Sequence, residues 1–159
     1  MFESERIEEE NVLVKKYGLK NKGEIWKTLA KVNYFRGRAK ALAKKPLEEQ
    51  EVLLNKLRAL GLNVSTTADV LGLQIEDILK RRLPTVVAGK KLANTVKEAR
   101  QLVTHKRVLL EGQVIDAPSY LVPVKSESAI KIKEKNKKSP KQNKEPKENK
   151  TEKTEEENQ

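Results

Sequence analysis

Residues 95–114 read TVKEARQLVTHKRVLLEGQV, and within these twenty positions a helix hands directly into a hairpin. Thr95 and Glu98 have the spacing of a capping box, in which the threonine hydroxyl accepts an early backbone N–H and the glutamate reaches back. Val96, Ala99, Leu102 and Val103 mark the buried side of that helix, with Lys97, Arg100, Gln101 and Thr104 opposite. The unbonded N–H groups at its start favour a phosphate before any side chain acts. Arg100 can then fork onto a phosphate or a base edge, and Lys97 adds a point charge. After His105, Lys106 and Arg107, two short apolar runs flank Glu111-Gly112, a two-residue hairpin turn. His105, the single histidine, stands where a helix C-terminal residue ordinarily caps or packs.

The composition around this stretch narrows the function. The 159 residues carry 34 Lys and Arg against 23 Asp and Glu, a net charge of +11. Residues 1–125 hold 24 basic and 15 acidic side chains, so the excess charge lies where the chain can fold. A folded basic surface attracts polyanions. Without cysteine there are no disulfides, thiolate metal sites or cysteine nucleophiles, and one histidine cannot build a multi-histidine zinc site. No metal or other cofactor is expected. No apolar run approaches a membrane span and MFESERIEEE is no signal peptide, so the expectation is a soluble, intracellular protein without a membrane partner.

Toward the N-terminus the pattern is helical. Ile7, Leu13, Val14 and Tyr17 suggest a short amphipathic helix stopped by Gly18. Asn21 and Glu24 open a second, whose stripe is Ile25, Leu29, Val32, Phe35, Ala39 and Leu42. Pro46 separates it from a third carrying Leu53, Leu57 and Leu60 before Gly61. Lys27, Lys31, Arg38 and Lys45 line up on the second helix with Tyr34 among them, a cationic row with one aromatic, suited to a phosphate backbone and a stacked base. Surface helices ordinarily carry Lys and Arg, but here no Asp or Glu interrupts the row between Lys27 and Lys45. Trp26 beside it reads as core or inter-helix packing.

A linker with Ser65, Thr66 and Thr67 leads to a second unit. There Ile75, Ile78, Leu79 and Leu83 form an apolar face, Lys80, Arg81 and Arg82 project from the other side, and Pro84 stops the helix. From Ser126 onward only Ala129, Ile130 and Ile132 are apolar among Lys, Glu, Asn and Pro, too little to offset the entropy of ordering. The fold class is therefore α+β: a helical domain over 1–73, a small domain of helices on a short hairpin over 74–125, and a disordered Lys/Glu-rich tail over 126–159, dispensable for folding.

The segment from Gln74 to Val124 resembles the small RNA-binding domain named after ribosomal small-subunit protein four. Its markers are Arg81-Arg82-Leu83, Leu92-Ala93, Thr95, Ala99-Arg100-Gln101-Leu102-Val103, His105, Gly112 and Pro118-Ser119-Tyr120-Leu121-Val122-Pro123. ERIEEENVLVKKYGLKNKGEIWK, from Glu5 to Lys27, is similar to the N-terminal region of the archaeal form of that family. The resemblance implies a cytoplasmic, ribosome-bound structural protein that binds the five-prime domain of small-subunit rRNA early in assembly. It further implies a place near the mRNA entrance, beside neighbouring small-subunit proteins such as protein five. Carried over by position, Arg81, Arg82, Lys90, Lys97, Arg100, Gln101, His105 and Arg107 fall on the family's RNA-facing platform, with Lys106 adjoining. The double change of Arg82 and Arg100 to alanine is thus expected to weaken RNA binding without unfolding the protein.

Three departures stand out. Lys106 and Arg107 occupy positions where the family usually has glycine and a second histidine. Gly89 and Lys91 appear where a basic residue and a glycine are usual. The basic arm that precedes ERIEEE in the family is reduced to Met1–Ser4. The same RNA-binding domain serves RNA-modifying enzymes, tRNA ligases and ribosome rescue factors. Asp69, Asp77 and Asp116 are isolated, however, and no Gly-rich phosphate loop is present. The helical N-terminal half likewise separates this chain from the rescue factors.

Overall fold

A computed structural model of the chain describes residues 4–133. Its helices are α1 (Ser4–Lys16), α2 (Gly23–Leu42), α3 (Leu47–Ala59), α4 (Thr67–Gly72), α5 (Ile75–Lys80), α6 (Leu83–Gly89), α7 (Val96–Thr104) and α8 (Val124–Glu127). The strands are β1 (Val108–Leu110), β2 (Gln113–Val114) and β3 (Ile130–Ile132), antiparallel in the order β2-β1-β3. Among the described residues no helix is long and apolar enough to cross a membrane.

The long helix α2 organises the first half, packing against α1, α3, α4 and α5. Val32, Phe35, Ala39 and Leu42 meet Leu53, Leu54 and Leu57 of α3 and Val70 and Ile78 beyond it. The expected stripe is right except at Leu29, which is partly exposed, while Thr28 turns inward and gives its hydroxyl to the Glu24 carbonyl at 2.8 Å. The stretch expected as a linker instead opens α4. Thr66 accepts the Asp69 N–H, and the Asp69 carboxylate accepts those of Ser65 and Thr66 at 2.8 Å.

Around residue 80 the chain passes between three cores. Ile78 belongs to the α2–α3 core, Leu79 to a small cluster with Tyr17, Leu19 and Ile25, and Leu83 to the core beneath the sheet. Pro84 does not stop a helix but sits in the first turn of α6, where its missing N–H is not needed. The helix has already ended at Lys80, and that break gives Arg81 and Arg82 directions a continuous helix would deny them. α5 packs against α2 of the first half as well as against α6.

The hairpin forms as expected, with Glu111 and Gly112 both at positive φ (51° and 85°), as its tight turn requires. The chain does not become a free tail at Ser126. Residues 124–127 form α8, and Ile130 and Ile132 pair with Leu110 and Val108 of β1, burying Ile130. Isoleucines at alternate positions supply one strand face, and the open edge of β1 supplies the partner that local composition cannot reveal. Residues 134–159, the rest of the tail expected to be disordered, lie outside the described residues.

Four helices end in the same left-handed cap. Gly18 and Gly61 take positive φ after α1 and α3, while Lys91 and Lys106 take φ of 57° after α6 and α7. In the latter two, Leu92 N–H bonds Val87 O and Arg107 N–H bonds Leu102 O, closing Schellman caps. Both lysines thus stand on backbone that favours glycine.

Two predictions follow from these elements. A chain ending at residue 133 keeps the full-length thermal midpoint, whereas one ending at 125 loses about 2–3 kcal/mol through exposure of Ile130 and the β1 edge. Circular-dichroism melts of both chains test this, and equal midpoints would refute it. Lys91→Gly and Lys106→Gly each stabilise by about 0.5–1 kcal/mol, the left-handed penalty less the entropy glycine loses on folding. Urea midpoints measure that gain.

Candidate nucleic-acid interface

Glu24, in the first turn of α2, takes two arginines from the other half of the chain. Arg100 grips it with both guanidinium nitrogens, Nη1 at 3.1 Å and Nη2 at 2.7 Å, and Arg82 Nη2 donates at 2.5 Å. Arg100 also reaches the Gly18 carbonyl at 3.4 Å. Arg82 is only 5% exposed. Burial pushes the Glu24 carboxyl up, but the guanidiniums of Arg100 and then Arg82 outweigh it and hold its pKa at about 2, against an ordinary 4.5. Arg82 and Arg100, expected on the RNA-facing platform, are both engaged with Glu24 in this fold. They clamp the two halves together, because a carboxylate is available within the fold and a guanidinium fork matches it. Their joint removal would leave Glu24 part-buried and unpaired, so loss of stability, not only of RNA affinity, is the expected result.

Three other predicted contacts are also tied inward. Arg81 binds Glu127 at 3.1 Å and the Val122 carbonyl at 2.8 Å, packing over Gly61, where a Cβ would collide with it. Lys90 donates to the Glu127 carbonyl. Arg107 Nη2 donates to Lys133 O at 3.2 Å, beside the end of β3. Glu127 lies on α8, Val122 leads into it and Lys133 directly follows β3. The start of α7 is likewise partly used. Glu98 N–H goes to Thr95 Oγ1, Glu98 accepts the Asn94 N–H rather than that of Thr95, and Gly18 packs against the backbone of Val96 and Lys97.

What remains outward is a smaller, lysine-rich set. Lys27, Lys31, Tyr34 and Arg38 are exposed along one line of α2. Lys45 is not part of that line: α2 ends at Leu42, and Lys45 pairs with Glu49 at 2.8 Å. On the second half Lys97 and Gln101 are exposed one turn apart on α7, followed by His105 at its C-terminal cap and Lys106 just beyond, which lies 3.8 Å from Asp116. Lys27 and Lys31 rim a cleft of about 120 Å³ that also includes Ser119 and Leu121, so α2 and the segment after the hairpin share one opening. Trp26 does join helices, donating Nε1–H to Glu10 at 3.0 Å, although half its surface stays open.

Val52 and Lys56 are not among the residues the sequence singles out. Val52 and Lys56 lie one turn apart on α3, facing Tyr34 and Arg38 across a groove. The four-residue spacing is visible in the sequence, but which helix it faces is not.

An exposed cationic helix face is thus joined by part-buried ion pairs to a small helix–sheet unit. The S4 domain model matches residues 81–127. The chain is 46% identical over 135 residues to small ribosomal subunit protein uS4 of Methanothermobacter thermautotrophicus, covering 81% of this chain and 79% of that one. It is 43% identical over 143 residues to the uS4 of Thermoplasma acidophilum (84% and 71% covered) and 44% over 133 residues to that of Methanococcus aeolicus (79% and 75%). The chain belongs to the uS4 family of small-subunit ribosomal proteins.

Glu24→Gln destabilises by about 3 kcal/mol, because two guanidiniums lose their carboxylate. A folded pKa below the unfolded one means that the Glu24 contribution is fully present above pH 4.5 and is lost as the pH falls toward 2. Over that window the wild type loses stability that Glu24→Gln already lacks, so their melting temperatures converge. Parallel curves across the window would remove Glu24 from its role.

Proposed function

We propose that this chain binds the five-prime domain of small-subunit rRNA early in assembly and stays in the subunit as a structural, non-enzymatic constituent. The observation that carries the reading is the division of charge. Six arginines, Arg36, Arg58, Arg81, Arg82, Arg100 and Arg107, are engaged with carbonyls or carboxylates of the fold, while Lys27, Lys31 and Lys97 stay exposed and take part in no ion pair among the described residues. The exposed parts of the two halves together suit a polyanion that touches both. Lys27, Lys31, Tyr34 and Arg38 contact it from α2; Lys97, Gln101, His105 and Lys106 contact it from the S4 domain. Glu24 and Arg100 fix the angle between these surfaces, so binding need not order two loose domains. The same family relationship supports a ribosomal, cytoplasmic setting, and a place beside protein five and near the mRNA entrance is part of this proposal.

The test is binding of the full chain to the five-prime domain across a salt series, against an unrelated structured RNA of equal length. The wild type should prefer the five-prime domain. The triple variant Lys27→Gln, Lys31→Gln, Lys97→Gln should bind more weakly and reduce the slope of log affinity against log salt by about 2–3. An unchanged slope in a triple variant with unchanged melting temperature would overturn the assignment of these lysines. Equal affinity for both RNAs would overturn the five-prime-domain reading.

A further inference from the structure

The groove between α2 and α3 has a volume of about 300 Å³ and is open to solvent. Tyr34 and Arg38 form one wall, Val52 and Lys56 the other, and Phe35 and Leu53 the floor. Tyr34 is 61% and Val52 71% exposed, large apolar surfaces on an otherwise charged face. The tyrosine is held in place. Its ring meets Phe35 edge-on, with centroids 5.7 Å apart and planes at 62°, and Arg38 Nη1 donates to its hydroxyl at 3.4 Å. Across the groove Lys56 is exposed and takes part in no ion pair among the described residues. Glu49, the one acid at the rim, is paired with Lys45.

We propose that this groove receives a single unstacked nucleotide of the bound RNA, its base stacked on Tyr34 beside Val52 and its phosphate between Arg38 and Lys56. The inference rests on the RNA-binding function proposed above and adds a site that reads a local RNA shape. Base faces inside a duplex are covered by their neighbours, so an exposed aromatic stacks only where a strand is splayed. Cations on both rims, with the single acid already paired, suit an occupant that brings its own negative charge to an apolar floor. A nucleotide does this in one unit.

The experiment measures the full chain and its Tyr34→Ala, Tyr34→Phe, Val52→Glu and Lys56→Gln variants on five-prime-domain RNA, with thermal melts of each protein. Loss of stacking in Tyr34→Ala should weaken binding about 5- to 150-fold. Its salt slope should stay the same, because no charge is removed. Tyr34→Phe keeps the ring and should stay near wild type. Val52→Glu sets a carboxylate beside the phosphate and should weaken binding. Lys56→Gln should flatten the salt slope by about 0.7. Chemical probing of RNA 2′-hydroxyls should show one nucleotide whose reactivity differs between the wild-type and Tyr34→Ala complexes. Unchanged affinity and unchanged reactivity in a folded Tyr34→Ala protein would overturn the site and turn attention to a protein occupant. A wild type that fails to distinguish the five-prime domain from the control RNA would overturn the underlying function as well, so the two failures are separable.

Discussion

Glu24 stands between guanidiniums that come from residues 58 and 76 positions further along the chain. A carboxylate and two arginines in a part-buried seam are tolerable only together, since each charge would be costly to desolvate alone. The result is a joint with directional hydrogen bonds rather than a greasy interface that could slide. The two-sided RNA surface proposed above depends on it, because α2 and α7 present their exposed faces at an angle this contact sets. The pKa of Glu24, near 2, shows that the pairing outweighs the burial.

The same chemistry sorts the basic residues. A guanidinium is planar, always charged and able to donate to two acceptors, so it is the cation that can hold carbonyls and carboxylates inside a fold. Arg36 ties α2 to the Leu73 carbonyl, Arg58 holds the turn at Val64 and Ser65, and Arg81 gathers Val122 and Glu127. The ammonium of lysine is compact and strongly hydrated, and at Lys27, Lys31 and Lys97 it stays at the surface. An interface made mainly of lysines is attracted to phosphates along its length and is sensitive to salt. Shape selectivity then falls to the few other groups, above all Tyr34 in its groove.

The two lysines at positive φ show a local compromise. At Lys91 and Lys106 the backbone takes a conformation suited to glycine, yet the Schellman hydrogen bonds around each are complete. The chain keeps its caps at some conformational cost and gains a cation at each helix end. Opposite charge beside the exposed carbonyls of a helix C-terminus recovers part of that cost.

Much was legible in the sequence because it depends on near neighbours. The apolar stripe of α2, the glycine stops after α1 and α3, the Glu111-Gly112 turn and the threonine cap of α7 are all set by spacings of a few residues. So is the cationic line of Lys27, Lys31, Tyr34 and Arg38. The pairings were not legible. Arg82 and Arg100 are basic residues on polar positions, and nothing local distinguishes a guanidinium aimed at RNA from one aimed at Glu24. Ile130 and Ile132 look like strays in a charged tail until the edge of β1 accepts them. The sequence by itself determined that α1, α2, α3 and α7 are helical and how much positive charge the surface would carry, since those depend on backbone preference and composition. Tertiary structure alone decided which cations are neutralised within the fold and which remain for a partner, because electrostatic pairing acts through space between residues that the chain keeps far apart.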